Sequence, residues 1–259
     1  MTSEPRNIEN HLDVILSLFQ KAEDETNNFE IEFSGKKHPE TIKNLGKGIT
    51  LLYKAACCFW KCNGGDHLIE RLVAKAVNQA ICSFKLYKGC FYDESLMITR
   101  GIGEIVNLLY VFQNFPEKRE EWKTLDSKNR FKNFSPSAAR KILEKAGKFV
   151  PIDKTRYSKL CEIGTHPSPS EVPGHYSGTG IPILGMIVQP AGAYVSITEL
   201  SFAIGLLCVV TPELIEVDDN VSKDFHDLGI SLIKNLGAFH ILNYSELLAE
   251  AITNREEPK

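Results

Sequence analysis

Between Asp93 and Pro116 the sequence places Arg100, Glu104 and Asn107 at i, i+4 and i+7, so a helix would stack the three on one face. Around them Leu96, Ile98, Ile102, Ile105, Val106, Leu109 and Phe112 make the segment apolar nearly all round. A guanidinium in that setting is costly without a counter-charge, and Glu104, one turn on, is the partner that the spacing offers. Two readings stay open here: an ion pair that fixes helix register, or a pocket whose arginine binds an anionic group. Gly101 and Gly103 flank the arginine and leave room for a neighbouring backbone or a ligand.

A second constellation follows in Tyr157, Ser158, Cys161, Thr165, His166 and Ser168. His166 stands where a helical pattern gives way to a loop, 166–182, that holds four prolines and three glycines. No ladder or helix tolerates that composition. Apart from Glu171 and two histidines the loop carries no ionisable charge, so a lid or docking loop over the fourth helix is expected. If the two constellations meet, Arg100, with Glu104 as its partner, would clamp an anion and His166 would serve as general acid or base. Asn107, Tyr157, Ser168 and His175 would then line the ligand side.

Several common fingerprints are absent. The chain has no G-x-x-x-x-G-K-[ST] phosphate loop, no H-E-x-x-H helix and no G-x-S-x-G elbow. Gly178-Thr179-Gly180 lacks the third glycine and the preceding strand of a dinucleotide site. Cys58, Cys62 and His67 have a metal-like spacing, but no paired Cys-x-x-Cys completes a closed tetrahedron. The reading is therefore no metal and no cofactor, with these cysteines acting as small apolar residues.

These groups need a frame, and the pattern predicts a mainly α, single-domain helical bundle over residues 1–259. Ile8, Leu12, Ile15, Leu16 and Phe19 mark a first helix ending near Ala22, within an acidic amino-terminal arm, 1–38; Phe29, Ile31 and Phe33 alternate as a short strand would. A second helix is expected from about Pro39 to Cys62, and a third from an Asp66 cap to about Tyr87. The fourth runs from Asp93 to before Pro116, and shorter ones fall at 116–126, 136–147 and 153–165. Ile183–Gln189 and Ala193–Thr198 flank Pro190-Ala191-Gly192, which predicts a small β-hairpin insertion around 183–198. Glu199 to Val210 reads as a helix buried on every side. A last helix from Asp219 carries an apolar seam over 221–247, which could pack internally or dock another protein subunit or a second copy of the chain.

Charge is partitioned. Residues 1–35 carry net −6, residues 36–159 net +12 and residues 160–259 net −9. Such a basic centre, densest over 116–159, could attract RNA; the alternative is that the acidic ends fold back on it. The thirteen uncharged residues between Glu199 and Glu213 fall short of the roughly 20 that a membrane span needs. No apolar segment within Met1–Asn10 suggests a secretory signal, and an odd seven cysteines in helical patterns suit a reducing, cytoplasmic setting.

Arg100-x3-Glu104-x2-Asn107-x2-Tyr110 in an apolar helix, followed by Tyr157-x8-His166-Pro167-Ser168, resembles a bacterial all-helical family of unknown function, loosely HEPN-like and associated with antiviral defence and toxin systems. The resemblance spans roughly residues 93–170. It implies the helical fold and an Arg100/Glu104/His166 cluster. HEPN ribonucleases carry an R-x4–6-H pair in a late helix, whereas the match here is Arg6-Asn7-Ile8-Glu9-Asn10-His11 at the amino terminus. The expected function is a non-catalytic helical interaction or regulatory subunit, possible in a bacterial antiviral defence or toxin system. The alternative is a HEPN-like, metal-independent ribonuclease using the Arg100/Glu104/His166 pocket.

Overall fold

A computed structural model describes residues 9–32, 37–60, 65–165 and 186–234. Its elements in chain order are α1 (Glu9–Glu32), α2 (Lys37–Ala56), α3 (Leu68–Lys88), α4 (Tyr92–Asn114), α5 (Pro116–Thr124), α6 (Ser127–Phe134), α7 (Pro136–Lys145), α8 (Lys154–Gly164), α9 (Pro190–Val210) and α10 (Asp219–Lys234). A 3-10 turn, Thr211–Glu213, follows α9. The fold is all-α: there is no strand among the described residues.

The local chemistry explains most of these boundaries. Asp153 caps α8 by accepting from the Arg156 amide at 2.8 Å, and Ser135 caps α7 through the Ala138 amide. Pro116, Pro136 and Pro190 each open a helix, where the missing amide hydrogen costs nothing.

Five elements differ from the sequence expectation. The first is α2, expected to reach Cys62 but ending at Ala56, with 57–60 in a turn where Cys58 takes a left-handed backbone. The hairpin around 183–198 is not supported: Ala193–Thr198 lies inside α9, and residues 186–189 lead into it without pairing. Pro190 begins a helix there because extended Gln189 stands at the capping position and the following apolar run is enclosed. The strand expected at 29–33 is likewise helical as far as Glu32. Long α1 continues because Phe29 packs on the core and Glu30 accepts hydrogen bonds from Tyr87 and Lys88, each at 2.9 Å. The helix α6 had no expectation; Asp126 starts it by accepting from the Asn129 amide at 2.8 Å. At α3 the capping position falls on His67, although Asp66 still accepts the Leu68 amide at 2.9 Å.

Two helices form the centre. The helix α4 packs against α3, α9, α8 and α7, while α9 packs against α4, α10, α2 and α3. By length and composition both could cross a bilayer, yet 67% and 83% of their apolar windows are buried within the protein. Where α3, α4 and α9 meet, the polar groups satisfy one another. Ser83 Oγ lies 2.8 Å from Ser95 Oγ and 2.9 Å from Thr99 Oγ1, and Ser196 donates to Ser95 Oγ at 2.7 Å. All four residues are buried.

The acidic ends do pair with the basic middle. Glu30 holds Lys88 at 2.9 Å and Glu23 holds Lys85, which docks α1 on α3. From the other end Glu199 on α9 holds Arg156 on α8 at 2.8 Å. The described half of the 221–247 seam also turns inward: Phe225 and Leu232 are buried, and residues 235–247 lie outside the described residues.

The helices α9 and α10 approach each other closely at a pair of glycines. A Cβ built on Gly229 would sit 2.8 Å from the Gly205 carbonyl oxygen, and one on Gly205 would sit 2.9 Å from that of Gly229. These neighbours are backbone, so only a separation of the helices relieves the clash. Alanine is the better helix former by about 1 kcal/mol. We nevertheless expect Gly229→Ala to destabilise the chain by about 1–3 kcal/mol through overpacking. A lowered urea midpoint at unchanged slope would report this. A variant as stable as the parent would show that α9 and α10 do not depend on this approach.

Candidate functional site

On α4, Arg100 and Glu104 share a face as the spacing predicts, with Arg100 Nη2 3.7 Å from Glu104 Oε1. Their side chains keep 24% and 32% of their exposure, so the pair borders solvent rather than being sealed. The room beside Arg100 is filled from within: Gly101 faces the Gln79 amide and Gly103 faces the Ile152 side chain. Asn107, on the same line, is buried and fully engaged. Its amide donates to the Ile152 carbonyl at 2.8 Å and accepts from the Ile152 amide at 2.9 Å. That clamp fixes the segment between α7 and α8, and hence where α8 starts.

The helix α8 brings Tyr157 and Cys161 onto this line. Tyr157 donates to Glu104 Oε1 at 2.9 Å, and Arg100 Nη1 reaches Cys161 Sγ at 3.4 Å. Burial opposes the charge on Arg100, but the Cys161 thiol and the Glu104 carboxylate outweigh it and hold the guanidinium above its ordinary pKa. Burial, then the Glu104 charge, pushes the Tyr157 hydroxyl well above the usual tyrosine range. Tyr157 therefore stays protonated near neutrality and acts as a donor, not a base.

A third group, absent from the sequence expectation, completes the cluster. Arg140 on α7 is only 7% exposed, with its guanidinium carbon 4.2 Å from the centroid of the Tyr157 ring. Arg100 lies 5.6 Å from the same centroid. Among the described residues Arg140 has no carboxylate partner and its Nη1 makes no hydrogen bond; Arg100 Nε is also without one. Two guanidinium groups thus share one aromatic ring, and one carboxylate, Glu104, sits beside them. A buried arginine stacked on an aromatic ring keeps its in-plane donors available, and those donors match the oxygens of a carboxylate or a phosphate.

Next to this cluster Arg156 turns the other way on α8. Its Nη1 donates to both oxygens of Glu199, at 3.0 and 2.8 Å, and its guanidinium carbon lies 3.9 Å from the Phe202 ring centroid. Complete burial pushes the Glu199 carboxyl up to about 7 even against the Arg156 charge. The structure thus brings together Arg100, Glu104 and Tyr157 of the expected site. It places Asn107 on the same face in a backbone clamp. His166, Ser168 and His175, with the whole loop 166–182, lie outside the described residues. The histidines whose side chains are described, His67 and His226, bond elsewhere, to Cys58 and to Ser222 with Glu213.

Arg140, Arg156 and Glu199 were missed, yet two of them left a trace in the sequence. Glu199 is the single charge within α9 and marks a paired position rather than a helix boundary. Arg140 falls three residues before buried Leu143, on the apolar face of its short helix.

Two outcomes follow for the Arg156–Glu199 pair. Removing the cation with Arg156→Met leaves Glu199 buried without its partner and should destabilise the chain, more so above about pH 7, where the carboxyl must otherwise ionise, than below it. Folded Glu199 keeps its proton to about pH 7, whereas its ordinary value is 4.5. Between these values the folded state binds more protons, so stability should fall as pH rises from about 4.5 to about 7, by an amount of the order of 3 kcal/mol. Urea titrations at several pH values should show that slope in the parent and not in Glu199→Gln; equal slopes would mean that Glu199 titrates normally. Comparison with protein-family models, characterised proteins and solved structures returned no match, so what this chain does is argued from the chemistry of its own cluster.

Proposed function

We propose that this chain is a non-catalytic helical binding or regulatory module whose Arg100–Arg140–Tyr157 cluster receives an oxyanion, carboxylate or phosphate, from a partner. The observation that carries this reading is Arg140: buried, stacked on Tyr157 and without a counter-charge among the described residues. Natural folds rarely bury a guanidinium unpaired, because the desolvation cost is large. An incoming anion would supply the missing partner. Glu104 limits the net charge of the cluster and accepts the Tyr157 hydroxyl, so the cluster would discriminate by geometry rather than by bulk charge. Tyr157 is held protonated, and Glu104 is engaged, accepting from Tyr157 and paired with Arg100, which favours binding over catalysis. On the resemblance alone, the partner would belong to a bacterial defence or toxin system.

A second reading, RNA binding at 116–159, has its own support. Lys128, Lys132, Lys141, Lys145, Lys148 and Lys154 are exposed, and Phe131 and Phe149 are 74% and 62% exposed among them. Exposed aromatics between lysines suit stacked bases and a phosphate chain. The ribonuclease version requires in addition an imidazole at the Arg100–Glu104 pair, a role that would fall to His166.

Isothermal titration of the full chain with inorganic phosphate, acetate and a short single-stranded RNA separates these readings. We expect one phosphate or acetate per chain, weakened by about tenfold or more, at least 1.4 kcal/mol, in Arg140→Met. The same substitution should leave thermal stability unchanged or raise it, because it removes an uncompensated buried charge. Loss of stability with unaltered anion binding would make Arg140 a packing residue and end the proposal. RNA binding that falls steeply with salt and survives Arg140→Met would move the function to the lysine-rich face.

A further inference from the structure

Away from the arginine cluster, the turn between α2 and α3 gathers three groups of different chemistry. Cys58 follows the end of α2, His67 precedes α3, and Glu70 lies in the first turn of α3. Cys58 Sγ is 3.5 Å from His67 Nδ1, and Glu70 Oε1 is 3.9 Å from the same nitrogen. One thiol sulfur, one imidazole nitrogen and one carboxylate oxygen all fall within 4.8 Å of one another. We propose that Cys58, His67 and Glu70 form a binding site for a borderline-soft divalent cation of the zinc class.

The geometry fits that assignment. Zinc–sulfur and zinc–nitrogen bonds of about 2.3 and 2.0–2.1 Å, arranged tetrahedrally, put sulfur and nitrogen about 3.6 Å apart. The corresponding nitrogen–oxygen separation is about 3.4 Å, so a small turn of the Glu70 carboxylate brings it into place. The alternative use of a Cys–His–Glu set, a nucleophile with its base and orienting acid, needs the cysteine and the acid on opposite ring nitrogens. Here both approach Nδ1. A single nitrogen offers one proton or one lone pair, so convergence of sulfur and oxygen on it suits a cation at their common centre. Neighbouring Asp66 is not available as a further ligand, being held by Arg119 and Lys123. The His67 side chain is 43% exposed, which leaves a fourth position for water, as in sites with three protein ligands. Thiolate, imidazole and carboxylate together select zinc-like ions over magnesium or calcium, which prefer oxygen alone.

The backbone is shaped to the same end. Cys58 and His67 both adopt left-handed conformations, φ 53° and 48°, without being glycine. Such conformations persist where surrounding interactions over-determine them, and a shared cation would bind the two ends of the turn together.

The test uses the full chain, stripped with chelator and kept reduced, titrated with cobalt(II) and then with zinc(II). We expect one equivalent of cobalt to produce a thiolate-to-metal charge-transfer band that one equivalent of zinc abolishes. Zinc should also raise the melting temperature in a concentration-dependent way. Cys58→Ala and Glu70→Gln should weaken binding by at least about tenfold, the lower end of what even outer-sphere changes cost. His67→Asn, which tolerates the left-handed backbone, should do the same, while Cys57→Ser should bind as the parent does. Circular dichroism confirms that each variant folds, and Glu70→Gln, on a regular helix, keeps the test open if a turn variant does not. Absence of the band, or a band that persists in Cys58→Ala and in His67→Asn, overturns the proposal.

Discussion

The arrangement of this chain depends on enclosing two helices, α4 and α9, that are apolar on nearly every side. Once both are removed from water, the polar groups they carry need partners inside, and most find them, although among the described residues Thr198 Oγ1 and Ser201 Oγ do not. Ser95, Thr99 and Ser196 do so with Ser83 at the contact of three helices. Asn107 does so through the Ile152 backbone, and Glu199 through Arg156. These are not ornaments on a finished core. The Asn107 clamp sets where α8 begins, and the Arg156–Glu199 pair ties α8 to α9. The position of Tyr157, one residue from Arg156, follows from both.

The charge partition has the same origin. A net −6 segment, a net +12 segment and a net −9 segment in one chain would repel themselves apart if each folded alone. Instead α1 docks through Glu23 and Glu30, and α9 enters with Glu199. Within the basic stretch Lys118, Lys123 and Lys159 are matched by acids three residues away on their own helices. Much of the apparent basic field is thereby neutralised at short range. Among the described residues the charges without a carboxylate partner include exposed lysines of α2, α3, α6, α7 and α8, and the buried Arg140.

The helices were legible in the sequence because their signals are local. Apolar spacing located α2, α3, α4 and the body of α9, and Asp153 and Ser135 announced α8 and α7 through their caps. The Arg100–Glu104 pair was legible as well, since i, i+4 spacing suffices, whereas nothing local said that Tyr157 would meet Glu104. The errors came where tertiary contact overrides local pattern. Phe29 and Ile31 alternate as a strand would, but Glu30 is drawn to Tyr87 and Lys88, and that contact keeps α1 helical. Val195, Ile197 and Thr198 favour a strand by type, yet helix α9 buries them on all sides. Arg140 was illegible for a different reason: nothing in its own segment says which ring it will meet. Tyr157 arrives from another helix, and only the three-dimensional contact makes that arginine unusual.

Sharing Tyr157 between Arg100 and Arg140 has a chemical consequence that neither arginine has alone. Attraction of a cation to a ring face is worth about 0.5–2 kcal/mol, too little to offset the burial of a bare guanidinium. Arg100 has a second source of support in Glu104 and keeps part of its exposure. Arg140 has neither, so under the proposed function it is the group that would gain most from a bound anion. Tyr157 donates to the same carboxylate that faces Arg100, so under the proposed function an oxyanion bound at Arg140 would act on a ring already tied to Glu104. The tyrosine thus couples the arginine without a partner to the one that has a partner. A binding event at α7 would in this way be read at the central helix α4, around which the rest of the fold is built.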